Sequence, residues 1–172
     1  QDTWSKALTA FKKRMKRPVQ VAKESGITLV LENGTAGITR TPEGMLEVVE
    51  AIGSPAFRVN YDPNNFYNAG REGFPYGYEL LREHIRYVHV KDSTKHIEGI
   101  YGSDLRVLHR AGGDLICVPV GQGATNWEGL LARLKSDGYS GFLAIEPHRE
   151  PEKMDDMFIQ AVGYLRAKIQ EM

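Results

Sequence analysis

Four side chains with metal-binding groups stand at the ends of four short stretches of this sequence. They are Glu32, Asp62, His89 and Glu146. The stretch before each of them is mostly apolar, which is typical of a buried β-strand. A charged group that ends a buried strand is costly unless it has a partner. Three carboxylates and one imidazole suit Mn²⁺, Mg²⁺, Co²⁺ or Zn²⁺, so we predict that the four residues share one divalent metal ion.

Helices and strands alternate along the chain, and this order predicts parallel (β/α) units. We expect four main strands, over residues 27–32, 57–61, 85–90 and 141–145. A helical segment separates each strand from the next, and such crossover helices make successive strands parallel. Because ligands bind beyond the carboxyl ends of parallel strands, this α/β fold would bring the four metal-binding side chains to one edge of the sheet.

Local signals predict the remaining elements. Thr41 followed by Pro42 marks a helix start, and that helix is expected to end at Gly53. Pro18 is expected to kink a helix that begins at Trp4, or to start a second helix. The other expected elements are a loop over 66–76, a short helix over 78–84, a hairpin over 104–119, and helices over 127–137 and 153–170.

Composition and charge are those of an ordinary globular domain. The 172 residues fit a single domain with its own core. The net charge is zero, so nothing in it indicates a nucleic acid or an anionic membrane as a partner. Cys117 is the one cysteine of the sequence, which favours a reducing, cytoplasmic compartment. No apolar run approaches the roughly 18 to 20 residues that span a bilayer, and no targeting segment is apparent.

Five motifs occur in an order that resembles one known family. They are Leu29–Asn33, Val59–Asn65, Tyr87–Asp92, Val120–Gly123 and Asn126–His148. Together these motifs resemble the xylose isomerase-like TIM barrels, the sugar phosphate isomerase/epimerase superfamily, over nearly the whole chain. The resemblance implies that Glu32, Asp62, His89 and Glu146 are the ligands of one divalent metal ion.

The chain is short for such a barrel. A complete TIM barrel usually takes about 250 residues and eight strands, whereas four strands are predicted here. The resemblance matches them to the fifth to eighth strands of the family. We therefore expect residues 1–172 to form one domain that is the C-terminal half of a TIM barrel. Because a bare half-barrel exposes sheet edges and an apolar face, we expect either a missing N-terminal half or a homo-oligomer that covers that face.

The resemblance implies a sugar isomerase or epimerase. Its metal would bind a carbonyl and an adjacent hydroxyl of a small sugar or keto-polyol, and would stabilise the enediolate that forms when a proton leaves the neighbouring carbon. Glu32 and Glu146 are, by the same resemblance, the catalytic pair that removes and returns the proton. A small-molecule sugar or polyol is the expected partner, with no nucleic acid and no membrane.

Three positions depart from the ketose epimerases of this family. Ile38, Asn65 and Lys95 stand where those enzymes carry Glu, His and Arg, so the groups around the substrate differ. Two alternatives therefore stay open: a keto-polyol dehydratase of the same superfamily, and a half-barrel that binds a partner without catalysis. A phosphodiesterase related to abasic-site endonucleases is less favoured, because it needs more His ligands and a more basic surface than this neutral chain offers.

Several polar residues near the predicted strand ends could contact a substrate. The candidates for substrate binding are Asn65, Lys95 and His148. Further polar residues of the same region are Lys91, His109 and Arg149. For each of these residues, a surface or structural role is the competing interpretation.

Overall fold

The computed structural model describes residues 3–98, 100, 106–148 and 151–171. Within these residues the helices are α1 Thr3–Glu24, α2 Pro42–Ile52, α3 Pro63–Asn68, α4 Tyr78–Leu81, α5 Trp127–Ser136 and α6 Pro151–Glu171. The strands are β1 Leu29–Glu32, β2 Phe57–Tyr61, β3 Ile85–Val90, β4 Asp92–Lys95, β5 Leu108–Arg110, β6 Gly113–Val118 and β7 Phe142–Ile145. None of the described helices is both long enough and apolar enough to cross a bilayer.

Four of the described strands form a parallel sheet in the order β1-β2-β3-β7. Helices connect its strands, so the predicted α/β fold of parallel (β/α) units is confirmed. In the register of this sheet, Glu32 lies opposite Asn60, and His89 lies opposite Ala144. Because the strands run in the same direction, their carboxyl ends, and the side chains that follow them, lie along one edge.

Apolar side chains of the strands and helices form the core on one face of this sheet. Val59 of β2 and Val88 of β3 are fully buried, as are Met45 and Val48 of α2 and Leu130 of α5. Burial of one such side chain contributes about 1.5–3 kcal/mol of stability. The helices therefore hold the four strands side by side, and with them the edge that carries the four candidate metal-binding residues.

The helix predicted after Thr41 is confirmed as α2. Thr41 Oγ1 accepts a hydrogen bond of 3.1 Å from Gly44 N at its start. Gly53 ends the helix in the left-handed conformation, with a φ of 62°. Both ends follow from local chemistry, because the cap satisfies an N–H group of the first turn and glycine adopts a positive φ without a steric penalty.

The loop predicted over residues 66–76 is wrong at its start, where α3 continues to Asn68, and at its end, where a π-helical turn spans Gly73–Gly77. The aromatic and glycine-rich composition of this segment favours a loop, but the cap before it decides the outcome. Asp62 Oδ1 accepts a hydrogen bond of 2.8 Å from Asn65 N, and Pro63 occupies the first turn. An aspartate followed by proline is the same type of start signal as Thr41 followed by Pro42.

α1 is one helix along its full length, so Pro18 starts no second helix. A proline inside a helix removes a backbone hydrogen bond and commonly costs about 3 kcal/mol. Leu8, Phe11, Met15 and Val19 nevertheless pack against the core at helical spacing on both sides of the proline. This shared packing face explains why the two parts stay in one helix.

A second described sheet, antiparallel and in the order β4-β6-β5, follows β3. The predicted hairpin is confirmed as β5 and β6, although Asp104 and Leu105 at its beginning lie outside the described residues. Strand β4, which pairs with β6, was not predicted from the sequence. Its residues are mostly polar, so their composition does not indicate a strand, and the pairing decides the structure.

Asp92 fixes the loop that leads from β6 to α5. Its carboxylate accepts hydrogen bonds from the backbone N–H groups of Gly121, Gly123 and Thr125, at 3.0, 3.0 and 3.1 Å. A Cβ atom on Gly123 would collide with the Asp92 carboxylate and lie 2.6 Å from Ser93 O. The close approach of this loop therefore requires glycine at position 123.

We predict that Gly123→Ala lowers the free energy of unfolding by about 2 kcal/mol, because forcing atoms into a filled site costs about 1–3 kcal/mol. Gly163→Ala in α6 is the matched control. A Cβ there meets nothing within 4 Å, and alanine in a helix is favoured over glycine by about 1 kcal/mol. Urea unfolding followed by circular dichroism measures both variants. Equal stability of Gly123→Ala and the parent would contradict the close packing around Asp92.

Candidate metal centre

The structure brings the four predicted metal-binding residues together at the carboxyl edge of the parallel sheet. One ligand atom from each of Glu32, Asp62, His89 and Glu146 lies within 4.8 Å of the others. Two ligands on opposite sides of an ion, each about 2.1 Å from it, are separated by about 4.2 Å. The spacing is therefore close to that of a coordination shell, and the assignment of the four as ligands stays a prediction.

Asp62 is the most buried of the four, with no exposed surface. Two hydrogen bonds of 2.8 Å fix its backbone, because Asn33 Nδ2 donates to Asp62 O and Asp62 N donates to Asn33 Oδ1. Asp62 Oδ2 lies 2.7 Å from Lys91 Nζ. Among the described residues no donor makes a well-directed hydrogen bond to this oxygen, so the charge of Lys91 is its partner. Burial raises the pKa of Asp62 to about 6, although Lys91 opposes the shift.

Glu32 and His89 approach each other from β1 and β3, across β2. His89 Nδ1 lies 3.1 Å from Glu32 Oε1 and 3.3 Å from Glu146 Oε2. Asn65 Nδ2 donates a hydrogen bond of 2.9 Å to the same Glu32 oxygen and so orients it. The other ring nitrogen of His89, Nε2, lies 3.0 Å from Asn60 Nδ2. Nδ1 is therefore the ring nitrogen that faces the carboxylates.

Glu146 joins the site from β7, on the other side. Its backbone N–H donates a hydrogen bond of 3.0 Å to Val90 O, which extends the pairing of β3 with β7 by one residue. Glu146 Oε2 lies 2.6 Å from Lys91 Nζ and 3.5 Å from His148 Nε2. Burial alone would raise the pKa of Glu146, but the hydrogen bond and charge of Lys91 outweigh burial and lower it. Lys91 thus favours the ionised carboxylate.

Lys91 is central to the site, whereas the sequence analysis placed it only in the same region. Besides its contacts with Asp62 and Glu146, its ammonium lies 3.8 Å from Glu32 Oε1. Burial tends to lower the pKa of Lys91, but the two carboxylates in contact with it outweigh burial and raise the pKa. A signal for this position existed in the sequence. Lys91 follows His89 by two residues, and side chains two apart on a strand point to the same face.

The charge of the cluster fits a divalent cation. Three ionised carboxylates carry three negative charges, and Lys91 offsets one of them, which leaves two when His89 is neutral. Carboxylate oxygens with one imidazole nitrogen suit Mg²⁺, Mn²⁺ or Zn²⁺. The residues present are therefore compatible with one divalent ion, held by the four predicted ligands with Lys91 as a neighbouring charge.

The predicted substrate-binding residues lie in different environments. Asn65 is buried, and its side-chain amide donates hydrogen bonds of 2.9 Å to Glu32 Oε1 and to Asn33 O, so it orients a predicted ligand. His148 is exposed and lies beside Glu146. Lys95 is exposed on β4, in the antiparallel sheet. Contact of these residues with a substrate stays a prediction.

Of two further polar residues named from the sequence, only His109 lies within the described residues. His109 is exposed on β5, and its Nδ1 lies 2.6 Å from Asp114 Oδ1 of β6. This pair lies within the β5–β6 hairpin, and neither residue belongs to the cluster of four predicted ligands. Arg149 lies outside the described residues.

Residues 2–168 match the family model described as xylose isomerase-like TIM barrel, so the chain belongs to this family. Protein MJ1311 of Methanocaldococcus jannaschii is 27% identical over 161 residues, which cover 89% of this chain and 48% of that protein. An inosose dehydratase of Clostridium perfringens is 23% identical over 154 residues, which cover 86% of this chain and 50% of that enzyme. The chain spans about half the length of these relatives and is therefore a partial barrel.

Solved structures show the same fold. A xylose isomerase domain protein from Planctomyces limnophilus has a TM-score of 0.75 at 21% identity, over 95% of this chain and 54% of that chain. The IOLI protein with a bound zinc atom has a TM-score of 0.71 at 18% identity, and the match covers 99% of this chain and 59% of that chain. The 3-keto-D-glucoside 4-epimerase YcjR from E. coli has a TM-score of 0.68 at 16% identity, and the match covers 96% of this chain and 56% of that chain.

We predict that Lys91→Met lowers the free energy of unfolding of the protein in EDTA by about 3 kcal/mol, because it leaves the buried Asp62 carboxylate without its cation. Lys95→Met is the matched control, since Lys95 is exposed and surface substitutions commonly change stability by less than about 0.5 kcal/mol. Urea unfolding in EDTA measures both. If the two variants were equally stable, the ammonium of Lys91 would not stabilise the metal-free site.

Proposed function

We propose that this chain is the metal-binding part of a sugar or keto-polyol isomerase or epimerase that uses one divalent metal ion. The observation that carries the proposal is the position of two glutamates on opposite sides of the site. In the sheet order β1-β2-β3-β7, Glu32 ends β1 and Glu146 follows β7, with Asp62 and His89 between them. The epimerase among the structural neighbours supports the same class of reaction.

The two glutamates are suited to proton transfer. The Glu32 side chain is 35% exposed and that of Glu146 is 37% exposed, whereas Asp62 is fully buried. The contacts described above all fall on Oε1 of Glu32 and on Oε2 of Glu146. Among the described residues no hydrogen bond or ion pair is made by the second oxygen of either carboxylate, so in this part of the chain that oxygen is available to take or return a substrate proton. A well-placed general base of this kind contributes a rate factor of about 10²–10⁴.

The proposed chemistry begins with the removal of a proton from the carbon beside a substrate carbonyl. A divalent ion at this site would withdraw electron density from that carbonyl oxygen and make the proton more acidic. One glutamate would remove the proton, and the other would return a proton to the opposite face, which inverts the carbon. Lys91 keeps Glu146 ionised, which is the form of the carboxylate that can accept a proton.

A keto-polyol dehydratase is the second candidate. It shares the first proton removal but then loses a hydroxyl group from the adjacent carbon as water. Two observations favour it: the inosose dehydratase among the relatives, and the exposed imidazole of His148, whose Nε2 lies 3.5 Å from Glu146 Oε2. His148 could protonate the departing hydroxyl.

Binding without catalysis is the third candidate. Lys91 already supplies a positive charge to Asp62 and Glu146, at 2.7 and 2.6 Å. A cluster that is partly neutralised in this way could be retained for structural reasons. Metal analysis of the purified protein, and the exchange measurement described next, distinguish this candidate from the two enzymatic ones.

We predict that the protein with Mn²⁺ incorporates deuterium from D₂O into at least one member of a panel of ketoses and keto-inositols. The carbon beside the carbonyl should exchange, because either enzymatic candidate removes its proton first. Proton NMR follows the loss of that signal. The same spectra distinguish an epimer from a dehydrated product. A protein that binds metal but exchanges no member of the panel would favour the third candidate.

Glu146→Gln tests the assignment of the base. We expect it to lower the exchange rate at least about 100-fold and to weaken metal retention, because the amide that replaces the carboxylate is a weaker ligand. Glu128→Gln is the matched control, since Glu128 is exposed on α5, where it forms an ion pair with Lys168. Metal content by mass spectrometry and exchange by NMR measure both variants. Unchanged exchange in Glu146→Gln would exclude Glu146 as the base.

The two outer strands of the parallel sheet indicate that another segment packs beside them. Among the described residues, β1 and β7 each pair with a strand on one side. Each also exposes an apolar side chain, Val30 at 41% and Phe142 at 73%. Parallel sheets are commonly covered on both faces and leave few such groups exposed. We propose that the N-terminal half of a barrel, or a second copy of this chain, covers these strands.

We predict that the isolated chain is a dimer or larger, or binds a hydrophobic dye, when studied by size-exclusion chromatography with light scattering. The exposed apolar side chains of the outer strands are the physical reason. Phe142→Ser should reduce the dye signal, whereas Phe158→Ser in α6 is a control on an exposed side chain of another element. A well-folded monomer without dye binding would contradict the proposal.

A further inference from the structure

The two ring nitrogens of His89 have different neighbours. Nδ1 lies 3.1 Å from Glu32 Oε1 and 3.3 Å from Glu146 Oε2. Nε2 lies 3.0 Å from the side-chain amide nitrogen of Asn60. Since Nδ1 faces the carboxylates and Nε2 faces away from them, Nδ1 is the atom that would bind a metal ion at this site.

The neighbours determine where the proton of the neutral ring resides. Asn60 Nδ2 is a donor, so Nε2 opposite it must be the acceptor. The ring proton is then on Nδ1, where Glu32 and Glu146 accept it. A ring in this state cannot bind a metal through Nδ1, because coordination needs the lone pair of that nitrogen.

The other end of the Asn60 amide has no hydrogen-bond partner. Asn60 is only 6% exposed, and its Oδ1 is buried without a partner among the described residues. The oxygen and nitrogen of an amide have nearly the same size, so a half-turn of the group exchanges them at small steric cost. After that half-turn, Oδ1 faces His89 Nε2 and accepts a proton from it. The lone pair of Nδ1 is then available to a metal ion.

We propose that Asn60 is a positioning residue that switches the tautomer of His89 when a metal ion binds. In the metal-free protein the amide donates to Nε2, and the proton is on Nδ1. In the metal-bound protein the amide accepts from Nε2–H, and Nδ1 binds the ion. The ring keeps one proton in both states, and exchange with water moves it from Nδ1 to Nε2. The inference rests on the proposed metal centre.

The type of residue at position 60 is what makes both states possible. An asparagine amide carries a donor and an acceptor on one planar group. An aspartate can only accept while ionised, and a leucine of similar size can do neither. A metal-binding histidine commonly donates its second ring N–H to a partner, and loss of such a partner commonly costs about 10–100-fold in metal affinity. Asn60 supplies that partner without adding a further negative charge to the cluster.

The direct test is NMR of the whole chain labelled with ¹⁵N in its histidine rings. Long-range ¹H–¹⁵N spectra are recorded in EDTA and then, after EDTA removal, with one equivalent of ZnCl₂, which is diamagnetic. The His89 signals are assigned by their loss in His89→Gln. We expect the proton on Nδ1 in EDTA and on Nε2 with zinc. A ring that already carries its proton on Nε2 in EDTA would overturn the switch.

Variants of Asn60 separate positioning from a merely structural role. We expect Asn60→Leu to bind zinc about 10–100-fold more weakly in calorimetry. Asn60→Asp should retain zinc binding but keep the proton on Nε2 with and without zinc. Asn68→Leu is the matched control, because Asn68 is 5% exposed, close to the value for Asn60, and contacts Ser93. It should lower stability without changing the zinc affinity. Thermal melts establish that each variant is folded.

The outcomes distinguish this inference from the proposed function. A parent protein that binds no divalent ion in calorimetry would refute the metal centre itself. A parent that binds zinc, together with a folded Asn60→Leu variant of equal affinity, would refute only the role of Asn60. Equal weakening in Asn60→Leu and Asn68→Leu would also refute it, because the loss would then reflect stability and not the His89 ring.

Discussion

A buried carboxylate needs a positive charge beside it, and this requirement at Asp62 governs the arrangement of the site. Asp62 is fully buried, and the ammonium of Lys91 lies 2.7 Å from its Oδ2. The same ammonium lies 2.6 Å from Glu146, so one charge links β2, β3 and β7 at their carboxyl ends. Removing one partner of a buried ion pair commonly costs about 3–5 kcal/mol. The edge of the sheet and the candidate metal centre therefore depend on the same contact.

Asparagine side chains complete the site around these charges. Asn33 joins the end of β1 to the Asp62 backbone, Asn65 orients Glu32, and Asn60 lies against His89. Amides supply directed donors and acceptors without adding charge, so they orient the ligands and leave the negative charge of the cluster to a cation. The most buried carboxylate is at the centre and the half-exposed glutamates are at the sides, which suits the centre to ion binding and the sides to proton transfer.

Much of the fold could be predicted because its signals act over a few residues. The apolar runs of β2 and β3 and the Thr41 cap of α2 are all local. The predictions failed where local composition and structure disagree. The Gly-rich segment after Asp62 begins as a helix because of one cap, and the polar strand β4 exists because β6 pairs with it. The continuity of α1 through Pro18 depends on packing against the core, which lies outside the helix itself.

The sequence by itself determined the α/β class, the parallel direction of the main strands, and the position of four candidate metal-binding residues at strand ends, because these signals act between residues that are close in the chain. Only the tertiary structure decided that Lys91 lies among the carboxylates, that Asn65 orients Glu32, and that an amide of β2 faces the ring of His89. These contacts join residues about 30 or more positions apart at close to 3 Å. Such distances depend on strand register and on side-chain packing, and a periodic pattern of residue types specifies neither to that precision.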